Sequence, residues 1–216
     1  MDRFERTDRP LRLGLMGGTF DPVHFGHLLA AEAAREALQL DRVVWLPAGD
    51  PPHKQARPIT PAEHRLEMVR RAIEGNPTFE ASRLELDREG PSYTLDTLKW
   101  FHGEHPDAEL YFLTGMDTVL ELHTWHRPRE VLAACRMVAM VRPGVDDAAL
   151  IRAFQAELTR AVIRVNSPRV EISATDLRER VARGASIRYR TPDAVCDYII
   201  ANRLYQAHEA PAPVVG

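Results

Sequence analysis

The sequence predicts an α/β protein, and three observations carry that prediction. Short apolar runs that read as buried strands alternate with helical stretches along most of the 216 residues. Glycine, proline or a capping residue stands at most of the junctions between them. The order is β then α, repeated, which implies parallel strands, right-handed crossovers and helices on both faces. The expected architecture is a Rossmann-like, doubly wound parallel sheet with a small C-terminal helical part.

Each element has a local reason. Leu11–Met16 is an apolar run closing on Gly17-Gly18, and the alanine-rich Phe25–Leu38 is the first helix. Arg42–Pro47 (RVVWLP) is the second strand; it runs into a proline-rich loop, Asp50 to Pro58, that holds Pro51-Pro52-His53-Lys54. Thr60-Pro61-Ala62-Glu63 opens the next helix, with Thr60 as N-cap, Pro61 at the first position and Glu63 completing a capping box. Gly75-Asn76-Pro77 stops that helix after Glu74, and Phe79–Leu86 is extended. Ser92 is expected to cap a helix from Tyr93 to His102. Glu109–Thr114 (ELYFLT) is a strand closing on Gly115, Pro128–Ala134 a short helix, and Arg136–Val141 (RMVAMV) a strand closing on Arg142-Pro143-Gly144. Asp146–Leu158 reads as helix, Ala161–Val165 as a further strand, and Ser173 as the start of a helix to Arg183. Thr191-Pro192-Asp193 caps a last helix to Leu204. The expected organisation is a flexible arm over 1–10, one domain over 11–205 with a helical subdomain at about 170–205, and a flexible tail over 206–216.

Composition narrows the function classes. Lys and Arg number 28 against 31 Asp and Glu, a net charge of −3, so no global basic field argues for nucleic acid or an anionic membrane. Cys135 and Cys196 form no C-x-x-C pair, which fits a reduced, cytoplasmic setting. No apolar stretch reaches the ~20 residues of a membrane span, and the first ten residues lack the apolar core of a signal peptide.

The chemistry is concentrated in Gly17-Gly18-Thr19-Phe20-Asp21-Pro22-Val23-His24-Phe25-Gly26-His27. A strand, a glycine turn and a helix N-terminus make a site for phosphate, because backbone N–H groups and the helix dipole point at an anion there. The missing Cβ atoms of Gly17 and Gly18 would let a nucleotide approach the backbone. His24 and His27 lie one turn apart and can reach the same phosphate. Two other readings stay open for the histidines: a helix cap with a packed neighbour, or a zinc site with His53, for which no H-E-x-x-H or cysteine partner exists. Ser173-x-Thr175-x-x-Arg178 sets two hydroxyls and a guanidinium at another helix N-terminus, a second anion site suited to a triphosphate tail. A plain N-cap with a surface arginine is the alternative there. Asp21 and Pro22 read as fixing the turn. The charged face of Glu63–Arg71 reads as solvated, and His102 and His105 as part of a surface loop.

The first segment resembles the G-T-F-D-P-x-H-x-G-H signature of the nucleotidyltransferase superfamily, related to class I aminoacyl-tRNA synthetases. The signature alone separates neither adenylyl from cytidylyl transfer nor one acceptor from another. Five further segments follow in order: Pro51–Lys54, Ser92–Leu98 (SYTLDTL), Gly115-Met116-Asp117 with Trp125 and Leu132, Val141–Gly144, and Ile172–Arg178 (ISATDLR). The series is similar to bacterial nicotinate-nucleotide adenylyltransferases over Leu11 to Tyr205, with Ala174 and Leu177 as mild departures. The resemblance implies adenylyl transfer from ATP, accompanied by Mg²⁺, to nicotinate mononucleotide, with His24 and His27 catalytic. It implies ATP contacts at Gly17, Gly18, Thr19, Phe20, His24, His27, Gly115, Asp117, Arg142, Ser173, Thr175 and Arg178. It implies mononucleotide contacts at Lys54, Thr94, Trp125 and His126. Trp125 would stack on the pyridine, and the backbone N–H groups of Thr94 and His126 would hold its carboxylate. The blander alternatives are a core tryptophan for Trp125, an N-cap for Asp117 and a solvated loop lysine for Lys54. Rival functions are a sister enzyme acting on nicotinamide mononucleotide or phosphopantetheine, and a non-catalytic module that senses nucleotides. No dedicated carboxylate cage for a metal is expected, and oligomeric state is left open.

Overall fold

In a computed structural model, which describes residues 9–50, 59–141 and 162–206, the apolar runs become the strands of one sheet. They are β1 (Arg12–Gly18), β2 (Arg42–Pro47), β3 (Phe79–Ala81), β4 (Glu109–Gly115), β5 (Arg136–Val141) and β6 (Val162–Asn166). The order across the sheet is β3-β2-β1-β4-β5-β6, and every pairing is parallel. The winding direction therefore reverses between β1 and β4, and a crevice opens beyond the carboxyl ends of that pair. This is the expected Rossmann-like, doubly wound arrangement.

Alternate residues of each strand feed two separate cores. Tyr111 and Leu113 of β4 belong to one cluster, and Leu110 and Phe112 to the other. The first cluster is covered by α1 (Phe25–Leu38), α2 (Ala62–Ile73), α6 (Ala174–Ala182) and α7 (Asp193–Ala201). The second is covered by α3 (Thr94–Glu104), α4 (Met116–Leu120) and α5 (Pro128–Ala134). Ala30, Ala31 and Ala34 are the buried face of α1, and their small side chains let the helix carrying His27 lie close against the sheet. Among the described residues no helix is long and apolar enough to cross a membrane.

Several local expectations are corrected. β3 has three residues rather than eight, because the N–H groups of Leu86 and Asp87 turn back onto the Arg83 carbonyl. α3 continues to Glu104, so His102 is helical, with Nε2 2.7 Å from the Ala134 carbonyl, and His105 is the C-cap. α7 ends at Ala201, before Leu204. The expected helix Asp146–Leu158 lies outside the described residues.

Three expected caps are also replaced, two of them by contacts made at long range. Pro61 is the N-cap of α2, and the Thr60 carbonyl accepts from Arg65 Nε at 2.8 Å. Tyr93 is the N-cap of α3, while Ser92 Oγ accepts from the N–H groups of Gly49 and Asp50. Thr191 Oγ1 donates to the Val23 carbonyl at 2.8 Å and so ties the turn before α7 to the start of α1. The face read as solvated on α2 is solvated at Glu63 and Arg71 but not at Arg65, which is 1% exposed.

Candidate active site

Two cavities adjoin at the β1–β4 crevice. The larger, about 360 Å³, lies between the β1–α1 turn and α6. The smaller, about 230 Å³, lies between the β1–α1 turn and α3. Gly17, Gly18, Thr19, Thr114 and Thr118 line both, so a ligand can run from one into the other over the ends of β1 and β4.

The larger cavity gathers most of the residues expected to meet ATP. Phe20, His24, His27, Gly115, Asp117, Ser173 and Arg178 join Gly17, Gly18 and Thr19 on its wall. His24 is the N-cap of α1 and is buried; its ring stacks on that of His27 with centroids 3.7 Å apart. The His24 N–H lies 3.2 Å from His27 Nδ1 and donates to it. A ring nitrogen that accepts from an N–H carries no proton, so neutral His27 holds its proton on Nε2 and can donate from there. The Phe20 ring packs edge-on against His27 and at a tilt against Trp45, so this side chain braces the imidazole from inside the core. The first turn of α1 contains no acidic residue, and the positive end of its dipole is left for an anion.

Close packing supplies its own reason for the glycines. A Cβ on Gly17 would stand 2.9 Å from Phe112 Cζ, and one on Gly18 2.8 Å from Phe20 Cζ. On Gly26 it would stand 3.0 Å from the His24 ring. Aromatic rings beneath the turn therefore require these glycines, whatever approaches from outside.

The opposite wall is α6. Ser173 is its N-cap and accepts from the Asp176 N–H, the cap of the alternative reading, and it also lines the cavity. Arg178 donates to the Asp21 carbonyl and, at 2.9 Å, to Thr175 Oγ1. Thr175 is not part of the cavity wall; its hydroxyl orients Arg178. Asp117 lies in the first turn of α4, whose N-cap is Gly115, so the N-cap alternative for Asp117 fails.

The smaller cavity brings together Thr94, Trp125 and His126 as expected. Trp125 meets Phe112 edge to face, with centroids 5.8 Å apart, and is half-buried, so it is at once a core contact and a wall of the cavity. His126 stacks on Tyr93 at 4.4 Å. α3 begins here with no side chain capping it. Lys54, Arg142 and His53 lie outside the described residues.

Wall residues that escaped the sequence reading include Glu85, Thr114, Thr118 and Glu121. Thr114 and Thr118 flank the Gly115-Met116-Asp117 motif, which was the available signal. Glu85 had none, since an acid in an extended segment reads as solvent-facing. Its carboxylate is buried, accepts from Thr97 Oγ1 at 2.8 Å, and is pushed above the usual glutamate range by desolvation. Among the described residues no group of three or more His, Cys, Asp or Glu is arranged to hold a metal ion.

Comparison with known proteins gives the family. A family model described as cytidylyltransferase-like matches residues 15–180. A protein of Thermomicrobium roseum named nicotinate-nucleotide adenylyltransferase is 46% identical, over 94% of this chain and 96% of its own. One of Thermoanaerobacter with the same name is also 46% identical, over 94% and 98%. The structure of a Plasmodium falciparum nicotinic acid mononucleotide adenylyltransferase complexed with NaAD has the same fold, with a TM-score of 0.72 and 18% identity over 90% of this chain and 97% of that one. With the family model and these relatives in agreement, the chain belongs to the nicotinate-nucleotide adenylyltransferase family of nucleotidyltransferases.

Proposed function

We propose that the protein transfers the adenylyl group of ATP to nicotinate mononucleotide, releasing pyrophosphate and forming nicotinate adenine dinucleotide. The observation that carries the proposal is the pair of adjoining cavities: imidazoles and helix N-termini line one, and an aromatic wall with an uncapped helix start lines the other. An oxygen of the mononucleotide 5′-phosphate attacks the α-phosphorus of ATP in line. The bond to the bridging oxygen of the β-phosphate breaks, and that oxygen leaves with pyrophosphate. The attacking phosphate is already an anion, so no general base is needed. Alignment and charge stabilisation are what the protein supplies.

In this mechanism His27 Nε2 and His24 donate to the transferring phosphate and the pyrophosphate. Gly17, Gly18, Thr19 and Phe20 follow the nucleotide along the turn. Ser173 and Arg178 face the β,γ end, with Thr175 orienting the guanidinium. Asp117 and Gly115 contact a ribose. Trp125 stacks on the pyridine ring. The carboxylate sits at the start of α3, where N–H groups at Thr94, together with that of His126, favour an anion. A carboxamide would set its own NH₂ against one of these donors, which gives a preference for the acid. Mg²⁺ would be carried on the triphosphate, and among the described residues Asp117 is the carboxylate, other than Asp21, that lines the larger cavity with His24 and His27. When bound, the ion offsets charge on the triphosphate.

Incubation with ATP and nicotinate mononucleotide, followed by mass spectrometry, tests the reading. Equal amounts of dinucleotide and pyrophosphate are expected. ATP binding with neither product would refute it.

A further inference from the structure

Arg65 is a fully buried cation that the reaction does not touch. At 1% exposure it spans three chain segments: Nη1 donates to the Thr19 carbonyl at 2.9 Å, Nη2 to the Ala48 carbonyl at 2.7 Å, and Nε to the Thr60 carbonyl at 2.8 Å. Thr19 and Ala48 both line the smaller cavity, and Thr19 lines the larger one too. One guanidinium thus joins the turn after β1 to the end of β2. In a trans peptide the C=O and the following N–H point in opposite directions, so drawing the Thr19 carbonyl toward Arg65 turns the Phe20 N–H away from it.

A second buried group acts on the same turn. Tyr205 Oη donates to Asp21 Oδ1 at 2.7 Å, and Asp21 is 2% exposed. Burial lowers the pKa of Arg65, and the nearby charge of Asp21 opposes that shift. Burial likewise pushes the Tyr205 phenol up, so it remains a donor. Arg65 and Tyr205 flank the residues that lead from Gly18 to His24.

We propose that Arg65 is a positioning residue: it sets the spacing between the β1–α1 turn and the end of β2, and with Tyr205 it holds the turn that presents His24 and His27 to the phosphates. The inference rests on the adenylyl-transfer reading above. Lysine cannot replace arginine here, because one ammonium on a flexible stem cannot hold three carbonyls in a fixed fork.

The test uses Arg65→Lys and Tyr205→Phe in the full chain, with steady-state kinetics and hydrogen exchange. Arg65→Lys is expected to lower kcat about 10-fold or more while both KM values stay within about 3-fold, because geometry rather than binding is lost. Tyr205→Phe, which removes one hydroxyl, is expected to lower kcat about 3- to 10-fold in the same pattern. In both variants the amides of residues 18–24 should exchange faster, with β4 and β5 unchanged. If Arg65→Lys does not melt cooperatively, Tyr205→Phe decides. Wild-type kcat in the folded variants, a loss confined to KM, or a kcat loss without faster exchange at 18–24 overturns the proposal. If the wild type itself makes no dinucleotide, the functional reading fails, while exchange at 18–24 still judges the role of Arg65.

Discussion

Replacing Trp125 with alanine separates the two substrates. The indole meets the Phe112 ring nearly at right angles, with centroids 5.8 Å apart, and the half-buried side chain lines the smaller cavity. Stacking a pyridine there contributes about 1 kcal/mol from the aromatic contact. Covering roughly 40 Å² of apolar ring at about 25 cal/mol per Å² adds about 1 kcal/mol more. Losing about 2 kcal/mol, at about 1.4 kcal/mol per tenfold, raises the mononucleotide KM about 30-fold. The ATP KM should stay within about twofold, since the larger cavity does not include Trp125. Truncating a half-buried indole also destabilises the fold by about 1–3 kcal/mol, so rates belong well below the melting transition. Pyrophosphate release, with each substrate varied at saturation of the other, reads both constants. An unchanged mononucleotide KM, or an equal rise in both, would refute the stacking argument.

Other perturbations probe the remaining parts. His27→Ala should lower kcat about 100-fold or more, because a donor aimed at developing charge is lost; near-normal kcat with a raised KM would remove His27 from that role. Gly26→Ala places a Cβ 3.0 Å from the His24 ring and should cut kcat more than it lowers the melting temperature; unchanged kcat would mean the ring position is not critical. Glu85→Gln should change how stability depends on pH. Its pKa is raised by burial, so the folded protein holds that proton more tightly than the unfolded chain. Its stabilisation is present below the ordinary 4.5 and lost as pH climbs through the raised value. The melting temperature of Glu85→Gln relative to wild type should therefore rise with pH over that range, and a difference independent of pH would mean Glu85 has no raised pKa.

Strands such as Arg42–Pro47 and Arg136–Val141 were legible to the residue, because a strand covered on both faces must be an apolar run. The phosphate turn was legible for a similar reason: strand, glycines and helix start are neighbours in sequence. Hydroxyls were not. Ser92 and Thr191 precede helices and resemble caps, yet their partners are Gly49, Asp50 and Val23, far away in the chain. Arg65 was misread for a related reason. It shares a face with Leu66 and Val69, but a charge on a helix reads as solvated unless the carbonyls awaiting it are known. Glu85 entered the cavity wall only because the chain turns at Arg83, and a short apolar stretch does not reveal where its strand stops.

The identity of the acceptor is best decided by competition. With ATP saturating and equal concentrations of nicotinate and nicotinamide mononucleotides, the two dinucleotide products can be quantified by mass as pyrophosphate is released. A carboxylate held at the start of α3 predicts that the acid product dominates by a factor of about 10 or more, since a misplaced NH₂ against an N–H donor costs about 1–3 kcal/mol. Equal products, or an excess of the amide product, would contradict it.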